Sequence, residues 1–193
     1  MTETKVEHDQ LKDIIRKCVD EDRTAQEELF KLFYGKMMGV CMRYTKDRDR
    51  AQEVVQIGFI KVFDKLSEFD FQGSFEGWLR RIMVNASIDA IRKRNRQPFS
   101  TDEEFLFNDA SVEQKDDSDE MLNKLKAEYA MEAIQSLSPA YRTVFNLYVI
   151  ENYSHKEIAE ILDISEGTSK SNLAKAKQNL RKILENKFVN LDR

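Results

Sequence analysis

Apolar residues in the first half of the chain recur at the spacing of amphipathic helices, separated by short polar breaks. Four stripes of this kind are present, in residues 11–18, 29–44, 54–66 and 75–91, and they predict four helices. Thr24 and Glu27 have the spacing of a capping box, which predicts a helix start at that point. The last of these helices is expected to stop near Pro98, because proline cannot continue a helix.

The second half contains shorter helical patterns and ends in two helices that are joined by a tight turn. Ser138 and Pro139 supply an N-cap and a first-turn proline, whereas Ser154 and Glu157 form a further capping box. A short connection at 163–165 leads into a basic final helix. Two helices in this arrangement are typical of a helix-turn-helix, a motif that also occurs in proteins that do not bind DNA.

Charge is distributed unevenly, although the net charge is only −4. Six basic residues in 80–96 face a single acid, and six in 168–187 face a single acid, whereas 98–120 holds nine acids and one lysine. Two basic surfaces therefore flank an acidic strip. For the strip, two interpretations stay open, a disordered spacer and a segment that a partner orders.

These patterns predict an all-α fold with two small helical domains joined by an acidic linker. We expect an N-terminal helical bundle at 1–97, the linker at 98–120 and a four-helix domain with the helix-turn-helix at 121–193. The chain has 6 glycines and 2 prolines, and such a low number disfavours a sandwich or barrel rich in tight hairpins.

Composition also limits the kinds of segment and site that the chain can contain. The N-terminus lacks the apolar stretch of a signal peptide, and no run approaches the roughly 20 apolar residues of a membrane span. Cys18 and Cys41 are the only cysteines, and His8 and His155 the only histidines, so we expect buried thiols in a reducing cytoplasm and no zinc site. Without a glycine-rich phosphate loop or a nucleophile paired with a base, the sequence predicts no catalysis, no metal and no cofactor. His155 is expected at the surface.

Two long segments resemble extracytoplasmic-function sigma factors, in the order that this family has. Residues 137–183, which begin LSPAYRTVFNLYVIENYSHKEIAEILDISEG, resemble the family's C-terminal promoter-binding domain. Residues 28–96, with RAQEVVQIGFIKVFDKL and FQGSFEGWLRRIMVNASIDAIRKR, resemble its N-terminal domain. The resemblance implies an alternative sigma factor that binds core RNA polymerase and directs promoter recognition and transcription initiation.

The resemblance also implies roles for particular residues. The helix at 50–66 would dock on the polymerase clamp through Glu53, Gln56, Phe59 and Lys61. The loop at 67–74 and the following helix would capture the unwound minus-10 strand through Phe71, Gly73, Ser74, Arg80, Arg81, Asn85, Arg92 and Lys93. The last helix would read the minus-35 duplex through Thr168, Lys170, Ser171, Asn172, Ala174 and Lys175. The spacing of Trp78 favours a core position over an exposed stacking platform.

Some positions depart from the family pattern. Ile57 follows Gln56 where the family usually has glutamate, Asp163 stands where the turn commonly has glycine, and Asn172 stands where arginine is frequent. On the outer face of the last helix the periodicity places Thr168, Ser171, Asn172, Lys175, Gln178 and Lys182.

The expected partners are core RNA polymerase, promoter DNA and an anti-sigma factor, which in this family is often membrane-bound. Two alternatives remain open. The first is a stand-alone helix-turn-helix regulator that binds duplex DNA, which leaves the first-half motifs unexplained. The second is a sigma mimic that sequesters an anti-sigma protein, although such mimics usually carry a receiver domain and the sequence has no parallel βα pattern.

Overall fold

The computed structural model describes the backbone of residues 3–94 and 119–191, and side chains within residues 9–94 and 127–185. Regular structure in these parts of the chain is helical, as predicted. The expected acidic linker at 98–120 lies almost entirely outside the described residues. None of the described helices is long and apolar enough to cross a membrane.

The chain forms two compact units, of which the first comprises Met1–Cys41 and Asp47–Ala90, and the second Met42–Lys46 and Ile91–Arg193. These bounds differ from the division that we predicted at 97 and 121. The segment Met42–Lys46 and the end of the fourth helix, from Ile91, group with the second unit.

The first unit, in the part that the structure describes, is built from four helices around a largely apolar core. They are α1 (Glu3–Val19), α2 (Arg23–Met42), α3 (Arg48–Lys65) and α4 (Phe75–Arg94), with a 3-10 turn at Leu66–Glu68 before the loop to α4. Leu29, Val55 and Leu79 are fully buried. Gly58 allows α3 and α4 to approach closely, because a Cβ atom there would lie 2.3 Å from the Met83 Sδ.

Aspartates cap the starts of α2 and α3. The Asp22 side chain accepts a hydrogen bond from the Ala25 N–H at 3.0 Å, and Asp47 accepts one from the Arg50 N–H at 2.8 Å. The predicted Thr24–Glu27 capping box is therefore wrong. Helix α2 begins one residue before Thr24, because Asp22 already satisfies the free amides, and Glu27 pairs instead with Lys31.

Among the residues of the second unit that the structure describes there are four further helices, which differ in length. They are α5 (Asp119–Ser136), α6 (Pro139–Phe145), which continues as a π-helical turn at Asn146–Ile150, α7 (His155–Leu162) and α8 (Glu166–Leu191). Helix α8 packs on α6 and α7. Apolar side chains of all three are buried, among them Val144, Ile158, Leu162 and Leu173.

The helix starts of the second unit agree with the sequence. Ser138 caps α6 with proline in the first turn, the capping box of Ser154 and Glu157 is present at α7, and Ser165 accepts from the Thr168 N–H at 3.0 Å. Local sequence signals were sufficient here, because each cap depends only on residues three positions apart.

Candidate nucleic-acid and polymerase interfaces

The outward face of α3 carries both polar and apolar side chains. Glu53, Gln56, Ile57 and Ile60 are all exposed, and their spacing of i, i+3, i+4 and i+7 places them on one face of the helix. Ile60 is 63% exposed and Ile57 is 49% exposed. Ile60 is not among the residues that the resemblance implies for polymerase binding.

Phe59 and Lys61, which were also predicted for polymerase binding, are less exposed than these four residues. Phe59 is 2% exposed and packs against Phe30, with ring centroids 4.7 Å apart, so its prediction as a direct contact is wrong. The ring belongs to the buried stripe that holds α3 in the unit. The Lys61 ammonium is partly exposed and forms a 2.9 Å ion pair with Asp89 of α4.

The loop between α3 and α4 is shaped by two residues with positive φ. Phe71 has φ +60°, a left-handed conformation that is uncommon for a bulky side chain, and Gly73 has φ +92°. The Asp70 carboxylate accepts a hydrogen bond from the Gln72 N–H at 2.9 Å. As a result Phe71 is 36% exposed and, with Gly73 and the exposed Ser74, lines the outer side of the loop.

An aromatic cluster supports this loop from below. The ring of Phe69, which is 8% exposed, lies 5.2 Å from Phe71, 5.2 Å from Phe75 and 5.5 Å from Trp78. Trp78 is half-buried in the cluster and stacks on Phe75. It therefore supports the loop through packing, the role that its spacing predicts.

Helix α4 presents several of the predicted minus-10 residues at the surface. Arg81, Asn85 and Lys93 are exposed, and Arg80 is half-buried. Arg92 is exposed as well, and within the second unit its guanidinium donates a hydrogen bond to the backbone carbonyl of Ile161. The predicted minus-10 residues of α4 are divided between the two units: Arg92 and Lys93 group with the second, whereas Arg80, Arg81 and Asn85 belong to the first.

The turn of the helix-turn-helix is closed by Asp163, which has φ +55° and lies in the left-handed region. The Ile164 N–H donates to the Ala159 carbonyl at 3.1 Å, as in a Schellman-type helix end. Aspartate tolerates this conformation better than most residues, although glycine would adopt it without steric cost.

Helix α8 has its predicted outer face except at Asn172, with Ser171, Gln178 and Lys182 exposed. Its buried face consists of Ser169, Asn172, Leu173 and Ala176, which are 0%, 6%, 6% and 0% exposed. The prediction of Asn172 as a base-reading residue is therefore wrong, since its side chain is turned inward. Ser169 and Asn172 are the polar members of this buried face, and Leu173 and Ala176 lie inward as their spacing predicts.

The exposed face of the first turns of α8 carries the remaining predicted residues. Lys170, Ser171 and Ala174 are exposed, and Thr168 is half-buried with its hydroxyl 2.9 Å from the Ser165 hydroxyl. Lys175 is half-buried, and its ammonium lies 5.9 Å from the centre of the Tyr141 ring. This face continues along the helix through Lys177, Gln178 and Arg181.

His155 is not a plain surface residue, contrary to our prediction. Its ring stacks on Tyr148 with centroids 4.5 Å apart, and its Nδ1 lies 2.9 Å from the hydroxyl oxygen of the buried Ser169. These contacts join the start of α7 to the first turns of α8. Among the side chains that the structure describes, no group of histidines, cysteines and carboxylates is arranged to hold a metal ion.

Comparison with known proteins gives matches to both units. Residues 29–97 match the family model for sigma-70 region 2, and residues 127–180 match that for sigma-70, region 4. The RNA polymerase sigma-H factor of Pseudomonas aeruginosa is 27% identical over 85% of this chain and 88% of its own length. The ECF RNA polymerase sigma factor SigW of Bacillus subtilis is 27% identical over 90% of this chain and 96% of its own.

Among solved structures, the sigma factor RpoE of Bartonella quintana, determined in complex with the anti-sigma factor NepR, matches with a TM-score of 0.49 and 22% identity. That match covers 82% of this chain and 96% of RpoE. The two sigma-70 regions occur in order in this chain, and relatives that cover most of its length are themselves sigma factors. The chain therefore belongs to the extracytoplasmic-function group of RNA polymerase sigma factors.

Proposed function

We propose that this chain brings core RNA polymerase to promoters by reading two DNA elements with two chemically different surfaces. The loop at 67–74 and the exposed residues of α4 would bind the unwound minus-10 strand. The first turns of α8 would enter the major groove of the minus-35 duplex. The observation that carries the proposal is the exposed face of α8 at Lys170, Ser171 and Ala174, which a capped helix-turn-helix holds at the surface.

The α8 surface has the chemistry of duplex reading. Ser171 offers a short hydroxyl and Ala174 a methyl group, which suit base edges and the thymine methyl group, while Lys170 and Lys177 provide charge for phosphates. Lys170 forms only a long, exposed ion pair with Glu166, at 3.7 Å. Such a pair contributes little stability, so the lysine can exchange it for a phosphate at small cost.

The loop surface suits an unstacked strand instead. A partly exposed aromatic ring provides a face on which any base can stack, and nearby arginines attract the backbone. Phe71 supplies the ring, and Arg81 and Asn85 supply charge and hydrogen bonding on α4. Binding an unpaired strand in this way favours the open promoter.

Docking on the polymerase is assigned to the outward face of α3. Ile57 and Ile60 form an apolar centre with Glu53 and Gln56 beside it, and an exposed apolar group with polar neighbours is typical of a protein interface. An anti-sigma factor, anchored in the membrane or free, would inhibit the chain by covering this face. The chain would act in the cytoplasm by binding alone, without catalysis.

Reconstituted transcription tests the proposal. Core polymerase and this protein would be incubated with a genomic fragment library, and the start sites would be sequenced. We expect discrete new starts that share two upstream elements. Strong binding of duplex DNA by the free protein, without polymerase binding, would instead support the stand-alone regulator, and a failure to bind core or produce starts would support the sequestering mimic.

A variant of the α3 face separates polymerase docking from folding. We expect Ile60→Glu to weaken core binding by about 10-fold or more, because it places a charge at the centre of an apolar contact. Stability should change little, since the side chain is 63% exposed. Val19→Glu is the matched control, with 44% exposure on α1. Binding of core would be measured by fluorescence anisotropy of labelled protein. If both variants bind core equally well, α3 is not part of the interface.

A further inference from the structure

Helix α1 lies outside the segment that matches sigma-70 region 2, which begins at residue 29. It is nevertheless part of the first unit. Ile15 and Cys18 are 1% and 3% exposed, and α1 contacts the 3-10 turn at Leu66–Glu68, which leads into the loop. The helix is therefore anchored beside the loop that would receive the minus-10 strand.

One exposed side chain of α1 reaches that loop directly. The guanidinium carbon of Arg16 lies 5.8 Å from the centre of the Phe71 ring, within the range of a cation–π interaction. Phe71 also contacts the ring of Phe69, at 5.2 Å. Its left-handed backbone, with φ +60°, is a conformation that persists only where the surroundings hold it. Arg16 supplies one of those surrounding contacts.

We propose that Arg16 is a positioning residue for minus-10 recognition, which holds the Phe71 ring in the orientation that an unstacked base requires. A ring that is already ordered loses less freedom when the base stacks on it, so the strand binds more tightly. The inference rests on the proposed minus-10 role of the loop. It extends the reading surface to a helix outside the matched region, and it names single-stranded promoter DNA as the ligand.

A direct contact between Arg16 and a DNA phosphate would have a different signature. Losing a phosphate contact weakens binding to every sequence alike and reduces the dependence of affinity on salt. Losing a contact that orients a stacking ring weakens binding only where the correct base is present. Base discrimination and salt dependence therefore distinguish the two roles.

The experiment compares Arg16→Ala and Arg16→Lys with Lys17→Ala in holoenzyme that contains the full chain. Lys17 is the matched control, because it is exposed on the same helix, carries the same charge and pairs with Asp13 at 2.6 Å. Open-complex formation would be measured on the promoter found by transcription, and on versions in which each minus-10 base is replaced. Urea unfolding would confirm that each variant is folded.

We expect Arg16→Ala to lower open-complex formation on the native minus-10 element by about two- to fivefold, the fold-change that an exposed cation–π contact gives. On the element with the critical base replaced it should have no effect, so discrimination falls. Arg16→Lys should recover part of the loss, and Lys17→Ala should behave as the unmodified chain.

The same measurements can overturn the inference. The positioning role is excluded if Arg16→Ala discriminates between minus-10 bases as well as the unmodified chain does. It is also excluded if Arg16→Ala lowers open-complex formation equally on every sequence and makes it less dependent on salt. If the unmodified chain itself shows no preference for any minus-10 base, the proposed function of the loop fails, and the inference fails with it. The two failures are distinguished by whether the unmodified chain discriminates.

Discussion

Phe71 in the loop of the first unit and Asp163 in the helix-turn-helix have nearly the same positive φ, +60° and +55°. Their surroundings differ, although a hydrogen bond from the Gln72 N–H to the Asp70 carboxylate also contributes to the loop. Asp163 ends a helix, and hydrogen bonds to the last turn of α7 hold it in place. Phe71 is stabilised by the ring of Phe69 and the charge of Arg16.

The difference suits the separate DNA element that we propose for each surface. A turn held by local hydrogen bonds fixes two helices rigidly, which suits insertion into a duplex groove of constant shape. A loop held by ring contacts leaves one aromatic face partly exposed, which suits stacking on a base that has left the duplex. A residue with positive φ thus fits both kinds of recognition that we propose.

The largest effect should come from removing the aromatic support of the loop. Phe69→Ala would lower the free energy of unfolding of the first unit by about 3–5 kcal/mol, because a buried ring is lost and a cavity remains. Trp78 is the only tryptophan and lies in this cluster, so urea unfolding followed by its fluorescence reports on the first unit.

Ile158→Ala is the counterpart in the second unit, where the side chain is 0% exposed. It should lower the midpoint of unfolding measured by circular dichroism and leave the Trp78 transition unchanged. If Phe69→Ala and Ile158→Ala shift the Trp78 transition equally, the two surfaces belong to a single folding unit. The two regions would then not differ in stability.

The sequence predicts the fold well where the determinants are local. The helices follow from apolar spacing, and the caps at Ser138, Ser154 and Ser165 follow from residues that are near one another in sequence. The predicted start of α2 was wrong because Asp22 and Thr24 are both good cap residues. The sequence alone does not show which of the two caps the helix.

The sites were predicted less completely, because exposure depends on tertiary packing. The periodicity of α3 places Phe59 in the buried stripe, whereas the resemblance implies a polymerase contact for it, and tertiary packing leaves Ile60 as the exposed apolar residue. The sequence pattern does not show that Asn172 turns inward, because its polarity indicates an outer position. The contact between Arg16 and Phe71 joins residues far apart in sequence, and no local signal predicts it.

Glycine at the two left-handed positions should have opposite consequences. Asp163→Gly is expected to stabilise the second unit by about 0.5 kcal/mol, since glycine adopts positive φ without steric cost and the gain is partly offset by its larger freedom in the unfolded chain. Phe71→Gly relieves the same backbone cost but loses the ring, so minus-10 discrimination should be lost. Thermal unfolding and open-complex formation measure the two effects. A destabilised Asp163→Gly would mean that the aspartate side chain itself holds the turn.

Ionisation of a buried thiol should give the first unit, which contains both cysteines, a pH dependence of its own. Burial, with a smaller contribution from the charges of Asp22 and Glu28, raises the pKa of the Cys18 thiol from 9.0 to about 11. Between these values the unfolded chain has released the thiol proton while the folded chain retains it. Stability therefore falls as pH rises through this window.

Urea unfolding followed by Trp78 fluorescence at pH 8, 9 and 10 tests this dependence, with Cys18→Ala as the comparison. Other groups titrate equally in both proteins, so the difference between them isolates the thiol. We expect the unmodified chain to lose stability faster than Cys18→Ala above pH 9. Parallel curves would show that the thiol of α1 ionises as readily in the fold as outside it. Helix α1 would then be less tightly packed beside the loop than the 3% exposure of Cys18 indicates, which would also weaken the case for Arg16 as a fixed support of Phe71.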